Sequence, residues 1–199
     1  DLAVAVGASS AFPPFLSPVH LRLPDGALQP DSGADLNHPP FTTNVVLSDG
    51  GVYDNLGLEP VFKRYETVLV GDAGAQLAPE EEPASDWVRH SRRVIDLVDH
   101  QVRSLRKRVL IEAYRSGTRQ GAYWGIRTNI RDYQLADALE CPWEVTRQLA
   151  EVPTRLAALA DELQERLINW GYAVCDAALR KHVRPGMRGP AGFPYPRGV

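Results

Sequence analysis

Several features that would assign a function directly are missing from this chain of 199 residues. Its two cysteines, Cys141 and Cys175, are too few for a disulfide scaffold and do not have metal-site spacing, so we expect a reduced pair. The five histidines form no pair at ligand spacing, so we expect neither a metal nor a cofactor. No apolar run reaches the roughly 18 residues of a transmembrane helix. We therefore expect a cytoplasmic protein.

An excess of positive charge is also missing. The chain has 22 Lys and Arg against 25 Asp and Glu, a formal net charge of -3. Dedicated nucleic-acid-binding proteins are usually basic, so we expect no nucleic-acid partner. The 44% hydrophobic and 24% charged residues are those of an ordinary globular protein, and the length allows a buried core.

The apolar pattern predicts strands alternating with helices, which indicates an α/β fold. The predicted strands are residues 2–6, 19–23, 44–47, 67–70 and 121–130. The predicted helices are a short one that Asp54 or Asn55 caps and that ends near residue 65, a long one from residue 86 to about 114, and a second long one after Pro153. Several strands are continuously apolar, so they need cover on both faces and indicate part of a larger sheet.

Composition divides the chain into a long segment with predicted helices and strands and a short C-terminal tail. Residues 1–182 carry the predicted helices and strands and are taken as one domain portion. A long polar connection at 24–40 has turn signals at 25–26 and 31–33. Residues 183–199 are rich in Pro, Gly and Arg, so we expect a disordered tail.

An aspartate and two glycines, Asp49, Gly50 and Gly51, follow the predicted strand 44–47. A carboxylate at the carboxyl end of a strand lies where ligand crevices form in open α/β sheets. The glycines allow positive φ angles and the close approach of another backbone or of a substrate. Such an aspartate can take a proton from a serine hydroxyl or orient a histidine that does so. An ordinary Asp-Gly-Gly turn is the alternative interpretation.

Three segments, occurring in one order, resemble the patatin-like phospholipase family of bacterial type. They are Gly-Ala-Ser-Ser-Ala-Phe-Pro-Pro at 7–14, Leu-Ser-Asp-Gly-Gly-Val-Tyr-Asp-Asn-Leu-Gly-Leu-Glu-Pro at 47–60, and Val-Leu-Val-Gly-Asp-Ala-Gly at 68–74. Segments 167–173 and 176–180 are similar to the terminal helix of bacterial members. The resemblance implies a three-layer sandwich with a central, mostly parallel sheet and long C-terminal helices.

The same resemblance implies lipid ester hydrolysis by a Ser-Asp dyad without histidine or cofactor. Asp49 matches the dyad aspartate, and Gly50 and Gly51 match its supporting turn. Ser9, Ser10 and Phe12 fall in the segment that lines the crevice after the nucleophile. The implied partners are a lipid or acyl-ester substrate and a membrane surface in peripheral contact.

The chain departs from the family at the nucleophile. The family's serine lies in a Gly-x-Ser-x-Gly elbow that follows a Gly-rich oxyanion loop, and this sequence contains neither. One explanation is the C-terminal portion of a longer hydrolase, inactive by itself, whose N-terminal remainder carries the serine. The start at Asp1, beside a predicted strand, favours this explanation. The other is a degenerate relative, a non-catalytic binding or assembly module on the same scaffold. A triad of Ser10, His20 and Asp49 in this chain alone has nothing in the sequence to orient it.

Basic residues concentrate on the first long predicted helix, interspersed with acidic ones. They are Arg89, Arg92, Arg93, Arg103, Arg106, Lys107 and Arg108. A solvated, ion-paired helix face is the expected interpretation. Contact with anionic lipid head groups is the alternative.

Overall fold

The computed structural model describes residues 1–29, 34–154 and 157–199. The predicted turn at 31–33, and Leu156 of the predicted second long helix, lie outside the described residues. The helices are α1 Leu2–Ser9, α2 Gly51–Asp54, α3 Leu58–Phe62, α4 Trp87–Arg115, α5 Trp143–Leu149 and α6 Asp161–His182. The strands are β1 Val19–Arg22, β2 Asn44–Leu47, β3 Thr67–Asp72 and β4 Gln120–Gly125. The fold is mixed α/β, with a small parallel sheet and long helices.

The strands form two separate pairs within the described residues. Strands β1 and β2 are antiparallel, with Val19 opposite Leu47. Strands β3 and β4 are parallel, with Thr67 opposite Gln120. Parallel neighbours need a crossover connection, and α4 is the helix between them along the chain. On β3, Val68 and Val70 are buried and Leu69 is half exposed, so this strand is covered on one face and not on two as expected.

The chain divides into two compact units. Unit 1 comprises residues 1–57 and 82–99, and unit 2 comprises residues 58–81 and 100–199. The main apolar cluster belongs to unit 2, where Trp170 is 1% exposed and α6 supplies the largest share. Other members of this cluster are Ala122, Ile130, Tyr133, Cys141, Leu149, Ala173, Val174, Ala177 and Ala178. The Trp170 indole N–H donates to the Ile126 carbonyl at 2.9 Å, so the buried ring keeps its hydrogen bond.

The prediction of a buried strand at residues 2–6 is wrong. The segment is the helix α1, and its side chains are largely exposed, Leu2 by 80%. The Asp1 carboxylate caps this helix by accepting from the Ala3 amide at 2.9 Å. A strand needs a neighbour to satisfy its backbone, and within the described residues none pairs here, whereas a helix satisfies its own amides. Alternating alanines also favour helix.

The predicted short helix before residue 65 is two helices. The first, α2, begins at Gly51, ahead of the predicted caps, and α3 begins at Leu58. Gly57 separates them with a φ of 59°, a left-handed conformation that glycine adopts without strain. Pro60 lies in the first turn of α3, where its missing amide hydrogen costs nothing.

Both long helices that the periodic pattern predicts are present, but only the first has nearly the predicted limits. Helix α4 was predicted within a few residues. Helix α6 begins only at Asp161, where two acidic residues of the first turn favour a helix N-terminus. Strand β4 ends at Gly125, so the predicted strand to residue 130 is too long. Helix α5 was not predicted.

The segment 183–199 follows an irregular path but contacts α6, which differs from the expected disordered tail. The Asn169 side chain is fully buried and donates to the carbonyls of Tyr195 and Gly198 at 2.9 and 2.7 Å. Its own oxygen accepts from the Tyr195 amide at 2.9 Å. One buried amide therefore anchors this Pro- and Gly-rich segment without regular secondary structure.

The sequence also led to expectations about the cysteines, a metal site and transmembrane helices. Cys141 and Cys175 are free thiols. Burial raises the pKa of Cys141 to about 12, which disfavours the thiolate form that acts as a nucleophile. The described residues include no cluster of three or more ligand-type side chains that could hold a metal ion. None of the helices described here combines the length and apolar character needed to cross a bilayer.

Candidate active site around Asp49

Asp49 lies in unit 1, two residues after the end of β2 and two before the start of α2. Its Oδ1 accepts from the Gly51 amide at 2.7 Å, and its carbonyl accepts from the Val52 amide at 3.1 Å. This local turn, in which an aspartate side chain bonds an amide two residues on, converts the end of a strand into the start of a helix. The carboxylate is half-buried, and its Oδ2 has no hydrogen-bond partner among the residues described.

The two glycines support this turn in different ways. Gly50 has φ -60° and ψ -22°, and a Cβ placed on it would meet nothing within 4 Å. A Cβ on Gly51 would lie 2.9 Å from Asp49 Oδ1 and 3.1 Å from Asn55 Oδ1. Neither glycine adopts the positive φ that the sequence suggested. Gly51 is needed for close approach, and Gly50 is not.

The segment predicted to line the crevice is adjacent to Asp49 through the backbone. The Asp49 amide donates to the Ala11 carbonyl at 2.9 Å, and the Ser48 hydroxyl reaches the same oxygen at 3.3 Å. Ala11 is 2% exposed, and its neighbours Ser10 and Phe12 are half-buried. Ala11 itself was not singled out from the sequence, because a backbone acceptor leaves no signal in side-chain identity.

The serines of this segment have structural contacts. Ser9 is the last residue of α1, and Ser10 follows it as the C-cap. The Ser10 hydroxyl donates to the Val6 carbonyl one helical turn earlier, at 2.9 Å, and not to His20 or Asp49. The geometry therefore does not assemble the triad of Ser10, His20 and Asp49, and among the described residues no serine hydroxyl is hydrogen-bonded to the Asp49 carboxylate.

Asn55 is a neighbour of Asp49 that sequence reasoning treated only as a helix cap. Its amide nitrogen lies 3.4 Å from both carboxylate oxygens of Asp99, and its Oδ1 faces Gly51. This polar contact joins α2 to α4 inside unit 1. Its signal in the sequence is weak, because an asparagine after a helix is more often a turn residue.

A second group of polar residues lies in unit 2, at the carboxyl ends of the parallel strands β3 and β4. Asp72 Oδ1 accepts from the Gly74 amide at 2.9 Å, and Oδ2 accepts from the Tyr123 hydroxyl at 2.6 Å. Burial, followed by the Asp72 hydrogen bond, raises the pKa of Tyr123. Arg103 Nη1 lies 3.8 Å from Asp72 Oδ1, with both side chains nearly buried. The sequence marked Asp72 only as the end of a strand.

The basic residues of α4 are partly ion-paired, in line with a solvated, salt-bridged face. Arg89 pairs with Asp86 at 2.5 Å, and Arg106 Nη1 pairs with Glu59 at 2.9 Å. Hydrogen bonds from Lys63 and Arg106 hold the pKa of Glu59 below its usual value. The exposed pair of Arg89 and Asp86 adds little stability. Neither ion pair is evidence for contact with lipid head groups.

A scan against protein-family models, a search of curated proteins and a search of solved structures each found no match to this chain.

Proposed function

We propose that this chain is the C-terminal portion of a patatin-like serine acyl hydrolase. Asp49 would be the base of a Ser-Asp dyad whose serine comes from the N-terminal remainder of the domain. The observation that carries the proposal is the state of the Asp49 carboxylate. One oxygen is fixed by the Gly51 amide, and the other has no partner among the described residues. A positioned carboxylate with one available oxygen is what a general base requires.

In the complete hydrolase domain, meaning this chain with its N-terminal remainder, Asp49 takes the serine proton as the serine oxygen attacks the ester carbonyl. The tetrahedral intermediate that forms collapses to an acyl-serine as the C–O bond to the alcohol breaks, and Asp49 returns the proton to the leaving alcohol. Water then attacks the acyl-serine by the same exchange of protons. An aspartate is a weak base in water, so its fixed position is the property that matters most.

Two structural features support the larger architecture that this proposal requires. The parallel pair β3 and β4 is a unit to which further parallel strands can be added, and Leu69 is 48% exposed on the outer face of β3. We propose that the remainder of the domain extends this sheet into a three-layer sandwich. Apolar exposure on a strand face is costly unless another layer packs there. A lipid or acyl-ester substrate and peripheral membrane contact complete the proposal.

The test is an Asp49→Asn variant of the complete hydrolase domain. We expect hydrolysis of a p-nitrophenyl acyl ester to fall by about 10² to 10⁴-fold, the usual loss of a general base. Circular dichroism and thermal unfolding should match the parent protein. Asp25→Asn is the matched control, because Asp25 is an exposed carboxylate of the same unit. Parent-like hydrolysis by Asp49→Asn would contradict the assignment.

A non-catalytic binding or assembly module is the second candidate, and the contact of Ser10 with its own helix favours it. The two candidates differ in their reaction with a fluorophosphonate, which labels activated serines. We expect no labelling of the 199-residue chain and one labelled serine in the complete domain. No labelling of the complete domain would favour the module.

A further inference from the structure

A cavity of about 280 Å³ lies within unit 2, at the carboxyl ends of β3 and β4. The residues 100–107 of α4 form one side, and the segment after β4 forms another. Clefts at the carboxyl ends of parallel strands are the usual ligand sites of α/β proteins. The volume is near the lower limit of ligand pockets, about 300 Å³, so a small molecule is the appropriate occupant.

The lining of this cavity has more positive than negative charge. Arg103, Lys107 and Arg127 contribute cations, and Asp72 contributes the carboxylate. Arg103 pairs with Asp72 and also donates to the Ala75 carbonyl. Arg127 pairs with Glu151 at 2.8 Å. Lys107 forms no ion pair in the part of the chain that the structure describes, which leaves one cation to be matched by a ligand.

The position of Lys107 directs its charge toward the cavity. Its ammonium lies 4.8 Å from the centre of the Tyr123 ring, a cation–π contact that holds the side chain over a lining residue. Such a contact does not neutralise the charge. Both oxygens of Asp72 are already engaged, one by Gly74 and one by Tyr123, so the carboxylate is already compensated inside the cavity.

Neutral polar residues also line the cavity. Thr128 Oγ1 accepts from the Gly125 amide at 2.9 Å, and its side chain is also hydrogen-bonded to Tyr133. The Ser104 hydroxyl and the Gln76 amide also line the cavity, and His100 adds a further ring nitrogen. Donors on both α4 and the segment after β3 suit a tetrahedral oxyanion, whose oxygens accept in all directions, better than they suit a planar carboxylate.

We propose that this cavity binds the phosphate group of a small molecule, with Lys107 as the matching charge and Arg103 and Ser104 as hydrogen-bond donors. The site is separate from Asp49, and the proposal does not depend on ester hydrolysis. Inorganic phosphate, soluble phosphate monoesters and phosphate head groups share the chemistry that these residues recognise.

The first experiment measures binding of inorganic phosphate to the complete 199-residue chain by equilibrium dialysis, at ionic strength fixed with chloride. We expect saturable binding at one site per chain. Lys107→Gln should weaken it at least about tenfold, because a charge-assisted hydrogen bond to the anion is lost. Arg108→Gln removes an exposed cation of the same helix outside the cavity, and it should bind within about twofold of the parent.

Each result bears on the proposal. Equal losses in the Lys107 and Arg108 variants would indicate diffuse surface attraction and would overturn it, as would unsaturable binding. Circular dichroism checks folding, and Ser104→Ala gives a second variant in which the charge is intact and binding should still weaken. If Lys107→Gln unfolds, a parent-like affinity of Ser104→Ala would overturn the proposal by itself.

A second arm separates the sources of phosphate. Glycerol phosphate competing with inorganic phosphate at the Lys107-dependent site would identify a soluble ester. Vesicles of phosphatidylcholine with and without phosphatidic acid test a membrane source, which should compete for the same site. Binding to phosphatidic acid vesicles without any binding of free phosphate would overturn the proposal of a phosphate site in this cavity, because such a site must recognise the free anion.

Discussion

At the scale of single residues, Asp49 depends on a neighbour that has no side chain. The Asp49 carboxylate occupies space that any Cβ on Gly51 would enter, at 2.9 Å from Oδ1. The same turn has an internal comparison, because a Cβ on Gly50 would meet nothing. Alanine substitutions at Gly50 and Gly51 can therefore test whether the position of the Asp49 carboxylate matters while its chemical identity is unchanged.

Gly51→Ala should displace the Asp49 side chain and, in the proposed hydrolase domain, lower ester hydrolysis by about tenfold or more, since small misplacements of a general base are costly. The new methyl group meets side-chain oxygens and not backbone, so the free energy of unfolding should change by less than about 1 kcal/mol. Gly50→Ala should keep hydrolysis and stability. Ester kinetics and denaturant unfolding measure both effects. Equal activity in the two variants would show that Gly51 does not position the carboxylate.

At the scale of helices and strands, Gly121 sets the register of the parallel pair. It lies opposite Val68, has a φ of 142°, and a Cβ placed on it would lie 1.8 Å from the Val68 carbonyl oxygen. The Tyr114 hydroxyl of α4 donates to this same oxygen at 2.6 Å. Backbone, and not a flexible side chain, fills the space. The Val68 carbonyl oxygen thus takes part both in the pairing of β3 with β4 and in the contact with α4.

Gly121→Ala should therefore destabilise unit 2 by about 3 kcal/mol or more, through left-handed strain and loss of a strand hydrogen bond. Gly125→Ala, in the same strand, should change stability by less than about 1 kcal/mol, because its nearest neighbour, the Asp72 carbonyl oxygen, would be at an ordinary 3.5 Å. Urea unfolding of the two variants gives the comparison. A similar stability for both would contradict the register argument.

The same scale shows which parts of the fold could be predicted from the sequence. Helix α4 could be predicted because its periodic pattern extends over many residues, and strand β3 because its apolar run ends in a clear turn. Residues 2–6 were not, because a short apolar run fits a strand or a helix equally, and the cap formed by Asp1 and the missing strand neighbour decide it. Helix α5 has too few turns to show a period. The contact of Ala11 with Asp49 joins backbone atoms distant in sequence, which no local pattern reports.

At the scale of the whole molecule, the two units bury very different amounts of apolar surface. In the described part of unit 1, Ala8 and Ala11 are the buried apolar residues, while most of the chain's exposed large apolar side chains are found there. They include Leu2 at 80%, Phe15 at 72% and Trp87 at 79% exposure. Unit 2 has the cluster around Trp170. Because burial of apolar surface is the main stabilising contribution to folding, unit 1 lacks what would keep it folded by itself.

Hydrogen exchange of the isolated chain should show this inequality. We expect the amides of β2 in unit 1 to exchange at least about 100-fold faster than those of α6 between Trp170 and Ala177, since exchange follows local opening and α6 belongs to the buried core. Addition of the N-terminal remainder that we propose should slow exchange in β2 and leave α6 nearly unchanged, because the proposed domain covers unit 1. Mass spectrometry of peptides from the two segments measures both. Equal protection of β2 and α6 in the isolated chain would show that unit 1 is stable without further cover, and would favour the self-contained module over a portion of a larger hydrolase.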